Sequence, residues 1–154
     1  RTVRTCHPGD TLNVPAQIMW ENDCGCVPVV VDEEGGTRVV GMVTDRDICM
    51  TAYTQGRPLE AIAVSTAMSQ RVCSSRPTDA LRVALNVLRA NQLHRLPVVD
   101  AHEHLIGILS LADVAREAGR EHGRRGAEVK DDDIAQTLEA ISEPRAGGEV
   151  VCAA

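Results

Sequence analysis

The residues that decide the fold are GILSLADV at positions 107–114, because they repeat the pattern of GMVTDRDI at positions 41–48. Outward from this pair, residues 3–30 align with residues 72–99 at a constant offset of 69 (72 − 3 = 69). The two quoted octapeptides are offset by 66 (107 − 41 = 66), and the three extra residues of the first copy lie in the turn sequence DEEGGT. The chain is therefore one supersecondary unit used twice.

Each copy is predicted to contain a short strand, a helix, two strands joined by a tight turn, and a second helix. The short strands are expected at residues 3–6 and 71–74. Helical spacing is clearest in the second copy, where apolar residues recur at i, i+3, i+4 and i+7: Leu81, Ala84, Leu85 and Leu88. This order of elements favours an α+β fold.

A proline interrupts the helical pattern of the first copy. Pro15 occupies the position that Ala84 has in the second copy. Because proline is tolerated only in the first turn of a helix, this helix is predicted to begin near Asn13 rather than at Asp10.

The repeat divides the chain into four segments. They are the first repeat at residues 1–55, a connector at 56–63, the second repeat at 64–118, and a C-terminal extension at 119–154. The extension is predicted to form a helix at about residues 132–143, capped by Asp132 or Asp133, followed by a disordered end. Its apolar face carries Ile134, Leu138 and Ile141. This helix is expected to pack on its own module or across a dimer, and the alternative is a docking element for another protein.

Composition limits the function classes. Hydrophobic residues make up 44% of the 154 residues, but the chain has one Trp, one Tyr and no Phe, so the core must consist of aliphatic side chains. A formal net charge of −6 argues against nucleic acid or an anionic membrane surface as a partner, since both require an excess of Lys and Arg. No apolar run approaches the length of a membrane span, and nothing at the start is typical of a secretory signal, so we expect a soluble, cytoplasmic protein.

No residue pattern indicates catalysis or a metal site. The six cysteines are scattered, which predicts mostly reduced, buried thiols. His102 and His104 lie in a predicted hairpin turn, where a solvated turn is favoured over a metal site. No nucleophile and base occur in a recognisable spacing, so we expect neither an enzyme nor an obligatory cofactor.

Two ordered copies of (V/L)PVV(V)D followed by G-h-h-h-T/S-x-x-D-h, where h is apolar, resemble the cystathionine-beta-synthase (CBS) domain. A tandem pair resembles a Bateman module. The resemblance covers roughly residues 1–118 and implies two βαββα repeats related by pseudo-twofold symmetry, plus a short C-terminal helix. The chain looks like a stand-alone CBS-pair protein, because the residues outside this pair are too few for an attached enzyme.

The resemblance implies a ligand site in the cleft between the repeats for an adenosine derivative, such as AMP, ADP, ATP or S-adenosylmethionine. In this family the Asp of T/S-x-x-D accepts hydrogen bonds from the ribose hydroxyls, and the Thr or Ser lies near the phosphates. These roles fall to Asp113 and Ser110 in the second copy, and to Asp47 and Thr44 in the first. A carboxylate suits a vicinal diol, and a helix N-terminus suits a phosphate.

HRLPV and SLADV also look similar to the nucleotide-sensing gamma subunit of AMP-activated protein kinase, which implies that His94 and Arg95 contact phosphates. The first copy has Gly25 and Cys26 at those positions, so anionic ligands should prefer the second copy unless Arg46 substitutes. Four further residues are strand-start and core residues first, and walls of an adenine pocket second: Val27, Pro28, Leu96 and Pro97.

Structural roles remain open for the same residues. T/S-x-x-D before an apolar run is also a helix capping box. His94 and Arg95 could equally form a solvated strand edge or a salt bridge at the pseudo-twofold axis. Trp20 aligns with Arg89, which predicts an exposed helix position and favours a homodimer contact.

Two functions are therefore compared. The first is a non-enzymatic regulatory module that binds an adenosyl ligand and signals to an unidentified protein by a conformational change. The second is a structural or stress-associated dimer that acts through protein contacts without a ligand.

Overall fold

The computed structural model describes residues 3–121 and 129–143. The chain forms two compact units. Unit 1 contains residues 3–72 together with 102–105, and unit 2 contains the remaining described residues. None of the helices in the described part of the chain is long and apolar enough to cross a membrane.

Unit 1 contains two helices and one hairpin. In chain order they are helix α1 (Asn13–Asn22), strand β1 (Cys26–Glu33), strand β2 (Gly36–Thr44) and helix α2 (Asp45–Gln55), followed by 3₁₀ turns at Leu59–Ala61 and Val64–Thr66. The two strands pair antiparallel, and Gly35 between them has a φ of 91°, which a residue with a Cβ rarely adopts. The hairpin turn therefore needs a glycine there.

Unit 2 repeats this order and adds a helix. Its elements are α3 (Leu81–Ala90), β3 (Arg95–Val99), β4 (Leu105–Ser110), α4 (Leu111–Glu121) and α5 (Asp131–Ser142). Each unit has its own two-stranded sheet. The α+β class predicted from the sequence is confirmed.

The start of α1 is set by its proline. Pro15 is the third residue of the helix, in the first turn, where its missing N–H has no helical partner to lose. The predicted start near Asn13 is therefore confirmed. The helix ends at Asp23, which has a left-handed φ of 49° and whose N–H donates to the Met19 carbonyl.

The short strand expected at the beginning of each copy is reduced to a single parallel bridge, Cys6 with Val29 and Ser75 with Val98. Cys6 N–H donates to the Pro28 carbonyl at 3.1 Å, and the Cys6 carbonyl accepts from Val30 N–H at 2.9 Å. The ladder stops there because the next donors on either side would be Pro28 and Pro8, which have no N–H.

The second copy stops its ladder in the same way. Ser75 N–H donates to the Pro97 carbonyl at 3.0 Å, and the Ser75 carbonyl accepts from Val99 N–H at 2.9 Å. Pro97 and Pro77 then occupy the positions of the next donors. The strand predicted at residues 3–6 is thus too long, and the strand predicted at 71–74 is wrong in position, because its single bridge is at Ser75. The prolines account for the shortness of both.

Each unit has an aliphatic core. The core of unit 1 includes these fully buried side chains: Leu12, Val27, Val29, Val43, Ile62 and Val64. The core of unit 2 includes Leu85, Leu88, Leu96 and Val114. Neither core contains an aromatic ring, because Trp20 and Tyr53 are 89% and 80% exposed.

The C-terminal helix packs on its own chain. In unit 2, α5 contacts α3 and α4, and Val129 and Ile141 are buried in the same core as Leu88. Asp133 is the third residue of the helix, where its carboxylate accepts from Lys130 N–H at 3.0 Å. The predicted disordered end, residues 144–154, lies outside the described residues.

The apolar face predicted for this helix is partly wrong. Ile134 packs on the core and Ile141 is buried, but Leu138 is 52% exposed. At this turn of the helix Thr137 faces the core in place of Leu138, and it is completely buried. Its hydroxyl donates to the Asp133 carbonyl at 2.6 Å and accepts from Arg89 Nη2 at 3.1 Å, so the polar group is satisfied.

The cysteines only partly follow the prediction of reduced thiols. Cys6, Cys24 and Cys49 are free thiols, and Cys6 and Cys26 are buried. Burial, with a smaller contribution from Asp10, raises the pKa of Cys6 to about 12. Cys73 is disulfide-bonded, so the prediction is wrong at that residue.

Candidate functional site

The first candidate site is the start of α2. Thr44 Oγ1 accepts from Asp47 N–H at 3.1 Å, while Asp47 Oδ2 accepts from the N–H and the hydroxyl of Thr44 at 2.9 and 2.7 Å. This reciprocal pair is a capping box. It fixes the carboxylate through one oxygen and leaves Oδ1 as a further acceptor.

The second candidate site, at the start of α4, has the same geometry. Ser110 Oγ accepts from Asp113 N–H at 3.1 Å, and Asp113 Oδ2 accepts from the N–H and the hydroxyl of Ser110 at 2.9 and 2.5 Å. The capping-box interpretation is thus confirmed in both copies. It does not exclude a ligand, since only one carboxylate oxygen takes part in each cap.

A backbone hydrogen bond connects each cap to the residue that precedes the hairpin. Leu111 N–H donates to the His94 carbonyl at 3.0 Å. In the first copy Asp45 N–H donates to the Gly25 carbonyl at 3.2 Å. The fold therefore brings His94 beside the Ser110 cap, although the two residues are 16 positions apart in the sequence (110 − 94 = 16).

The two sites differ in charge. His94 is exposed and Arg95 is half-buried as the first residue of β3. Neither forms an ion pair with another described residue. The corresponding residues of the first copy are Gly25 and the buried Cys26, so that site has no basic side chain at these positions. The solvated strand edge remains an open alternative, whereas a salt bridge within the described residues is not found.

Arg46 is the nearest cation in sequence to the first cap. It is the second residue of α2 and is exposed, and its N–H donates to Asp45 Oδ1 at 2.7 Å. A contact between Arg46 and an anionic ligand stays a prediction.

The two aspartates differ in what contacts their outer oxygen. Asp113 Oδ1 accepts a hydrogen bond from Arg116 Nη2, with the Asp113 side chain 44% exposed. Partial burial works to raise the pKa of Asp113, but the hydrogen bonds from Ser110 and then from Arg116 outweigh it and lower the pKa below its ordinary value. Among the described residues, no cation pairs with Asp47.

The apolar candidates are buried, in accordance with their first predicted role. All four belong to the hairpin strands: Val27, Pro28, Leu96 and Pro97. Val27 and Leu96 are completely inaccessible in the cores of units 1 and 2, respectively. A role as walls of an adenine pocket stays a prediction.

Trp20 occupies the exposed helix position that its alignment with Arg89 predicted. It lies near the end of α1 and is 89% exposed. Its assignment to a dimer interface stays a prediction.

Arg116 is the residue of this site that the sequence reasoning missed. Its three-residue spacing from Asp113 in a helix was the available signal, because i and i+3 side chains are neighbours on one face. In the first copy the corresponding residue is Met50, which is 48% exposed.

A metal centre has no support in the described residues. No group of three or more His, Cys, Asp or Glu side chains there is arranged to hold a metal ion.

The repeated hairpin-and-cap geometry agrees with a comparison against protein families. The CBS domain model matches residues 1–52 and 64–120, which is more than half of the chain. The chain belongs to the CBS domain family. Its two matched segments make it a tandem CBS pair.

Similar proteins share this CBS pair. The CBS domain-containing protein YhcV of Bacillus subtilis (strain 168) is 37% identical over 113 residues, which cover 73% of this chain and 76% of YhcV. The solved structure of a protein with CBS domains from Burkholderia ambifaria MC40-6 has a TM-score of 0.69 at 25% identity, covering 82% of this chain and 89% of that one.

A second similar structure contains ligands. The CBS domain pair of protein MJ0100 was solved in complex with 5′-methylthioadenosine and S-adenosyl-L-methionine. Its TM-score to this chain is 0.66, its identity is 22%, and the match covers 79% of this chain and 91% of that one. At this identity the likeness shows a shared fold.

Proposed function

We propose that this CBS pair is a non-enzymatic regulatory module that binds an adenosine derivative, such as AMP, ADP, ATP or S-adenosylmethionine, at the starts of α2 and α4. The observation that carries the proposal is the double cap. Asp47 and Asp113 are each held through Oδ2, so neither cap uses Oδ1, which at Asp113 accepts from the exposed side chain of Arg116. A fixed carboxylate oxygen at a helix start matches the vicinal hydroxyls of a ribose.

The charges of the second site support a phosphorylated ligand there. His94 lies beside the Ser110 cap, and Arg95 follows it at the start of β3. Charge-assisted hydrogen bonds from such side chains, together with the N-terminus of α4, stabilise an anion. The adenosyl compounds in the MJ0100 structure support the ligand class through the shared fold.

A bound ligand would signal by changing populations. A ligand shifts an equilibrium between two conformations only by the ratio of its affinities for them. We propose that a protein partner recognises the ligand-favoured conformation of this chain. Neither the ligand nor the signal needs a catalytic group.

The first test is thermal unfolding of the whole chain with AMP, ADP, ATP, NAD or S-adenosylmethionine. A ligand present at about 100 times its dissociation constant adds about 2.7 kcal/mol of stability and raises the midpoint by several degrees. The shift should disappear in a D47N/D113N double variant. The matched control is Asp133→Asn, because Asp133 also caps a helix from its third position but lies in α5. A full shift in the double variant would place the ligand elsewhere.

The second candidate function, a ligand-free dimer, has one specific observation in its favour. The only Trp and the only Tyr of the chain, Trp20 on α1 and Tyr53 on α2, are both largely exposed in unit 1. Exposed aromatic residues are enriched at interfaces. We propose a homodimer that uses this surface in either function.

The dimer can be tested by sedimentation velocity. Trp20→Ala should shift the chain toward monomer, whereas Leu138→Ala, which removes an exposed apolar side chain from α5, should not. A wild-type chain that is monomeric at high micromolar concentration would exclude the dimer. A chain that stays monomeric but whose unfolding midpoint rises with an adenosyl ligand would favour the regulatory module without a dimer.

A further inference from the structure

The internal repeat allows the two proposed sites to be compared residue by residue. The caps and their backbone bonds are the same, but the residues around them differ. The second site has His94, Arg95 and Arg116 where the first site has, in the same order, Gly25, Cys26 and Met50. The first site in turn has Asp45 and Arg46 where the second has Leu111 and Ala112, and the opposite charges of these two neighbours offset each other. The excess of cationic side chains therefore lies at the second site.

Arg116 occupies the oxygen of Asp113 that the cap does not use. Its guanidinium bonds to Asp113 Oδ1, while Ser110 occupies Oδ2. A ribose that approaches Asp113 must therefore displace or share the Arg116 hydrogen bond. At the first site Met50 cannot bond to Asp47, whose Oδ1 has no ion-pair partner among the described residues.

The energetic consequence depends on the charge of the ligand. An uncharged nucleoside offers Arg116 no new anion, so displacing the guanidinium weakens its binding. A nucleotide phosphate offers a replacement partner, because guanidinium binds phosphate as well as carboxylate. The Arg116 side chain is 65% exposed, so it is free enough to move from one anion to the other.

We infer that the two sites sort adenosyl ligands by charge, with Arg116 as the specificity-determining residue: the second site takes phosphorylated nucleosides, and the first site takes uncharged ones. The inference rests on the proposed function, since it requires that both caps bind an adenosyl ligand. It names the ligand class of each site and the residue that sets it.

The test measures the dissociation constants of AMP and adenosine by calorimetry, on variants in which one of the two sites has been removed by substitution. Asp47→Asn leaves the second site, and the Kd for AMP should lie below the Kd for adenosine. Adding Arg116→Met should raise the Kd for AMP by about tenfold and lower the Kd for adenosine by about threefold, so the preference for AMP is lost. Adding Arg116→Lys instead keeps a cation and should keep most of the preference.

The mirror experiment uses Asp113→Asn, which leaves the first site. That site should bind adenosine at least as tightly as AMP, and adding Met50→Arg should create a preference for AMP. Both substituted side chains are largely exposed, so the variants are expected to fold.

The outcomes separate this inference from the proposed function. If both AMP and adenosine bind and Arg116→Met leaves the ratio of their dissociation constants at the second site unchanged, the charge sorting is wrong while the ligand module stands. If neither AMP nor adenosine binds while another adenosyl ligand such as S-adenosylmethionine does, the inference fails and the ligand module stands. If no adenosyl ligand binds the wild type, the proposed function fails and the inference fails with it.

Discussion

Asp113 Oδ2 accepts two hydrogen bonds from Ser110, one from its backbone N–H at 2.9 Å and one from its hydroxyl at 2.5 Å. The same carboxylate therefore caps α4 through one oxygen, while its other oxygen accepts from Arg116. One residue thus serves stability and the proposed binding, and variants must be chosen to separate the two.

The cap makes stability depend on pH in a defined direction. The pKa of Asp113 is lowered in the folded chain, so its contribution is present above the unfolded value of about 3.9 and is lost as the pH falls through the folded value. Asp113→Ala should lower the unfolding free energy by about 1 kcal/mol at pH 7, a modest loss because the group is 44% exposed. Urea unfolding should show the difference from wild type shrinking below about pH 4. A difference that grows on acidification would contradict this.

The internal repeat provides a matched pair of glycines. A Cβ on Gly41 would lie 2.9 Å from the Ser69 carbonyl oxygen and 2.8 Å from Met68 Sδ, whereas on Gly107, its counterpart, the nearest atom is Val98 Cβ at 3.6 Å. Gly41→Ala should therefore destabilise the chain by about 1–3 kcal/mol. Gly107→Ala should be nearly neutral.

Thermal or urea unfolding of both alanine variants measures this difference. Equal losses of stability would mean that the close approach of β2 to Ser69 is not a constraint.

The docking of α5 depends on Arg89. Its Nη2 donates to the Asp133 carbonyl at 3.2 Å and to Thr137 Oγ1 at 3.1 Å, in a partly buried position. Arg89→Met should accelerate amide hydrogen exchange in α5 by about fivefold or more, because two charge-assisted hydrogen bonds are lost. Arg82→Met is the control, because Arg82 contacts the same helix only weakly. Its side chain is 67% exposed, and its Nη2 is as far as 4.0 Å from Asp133 Oδ1. Equal acceleration in both variants would assign the effect to general charge loss.

Thiol reactivity should distinguish two free cysteines. Cys49 is exposed, whereas Cys6 is buried and its pKa is raised to about 12, so Cys6 has almost no thiolate at pH 8. Iodoacetamide followed by peptide mass spectrometry should find Cys49 modified in the folded chain, and Cys6 modified only in denaturant. Rapid labelling of Cys6 without denaturant would show that its segment opens readily.

The repeat is the part of this structure that the sequence predicts best. Hairpins and helices are local, so the two aligned copies predict their order, and Pro15 predicts the start of α1 within a residue. The residues of both caps follow from the T/S-x-x-D spacing alone. Their double role as caps and candidate ligand contacts was open from the start.

What the sequence misses depends on distant partners. The strand at Cys6 stops because its partner strand contains Pro28, which lies 22 residues away. Thr137 is buried in place of Leu138 because Arg89, 48 residues earlier, bonds to its hydroxyl. Apolar periodicity contains no information about such a polar partner, and the face of α5 was therefore predicted wrongly.

The central claim is that the capped carboxylates bind an adenosyl ligand. Isothermal titration of the whole chain with AMP and with S-adenosylmethionine tests it most directly, using Asp133→Asn as the control for a lost cap. We expect a dissociation constant below 1 mM for at least one of them, unchanged in Asp133→Asn and raised about tenfold or more in D47N/D113N. No binding of either compound to the wild-type chain, or equal binding to the double variant, would contradict the account.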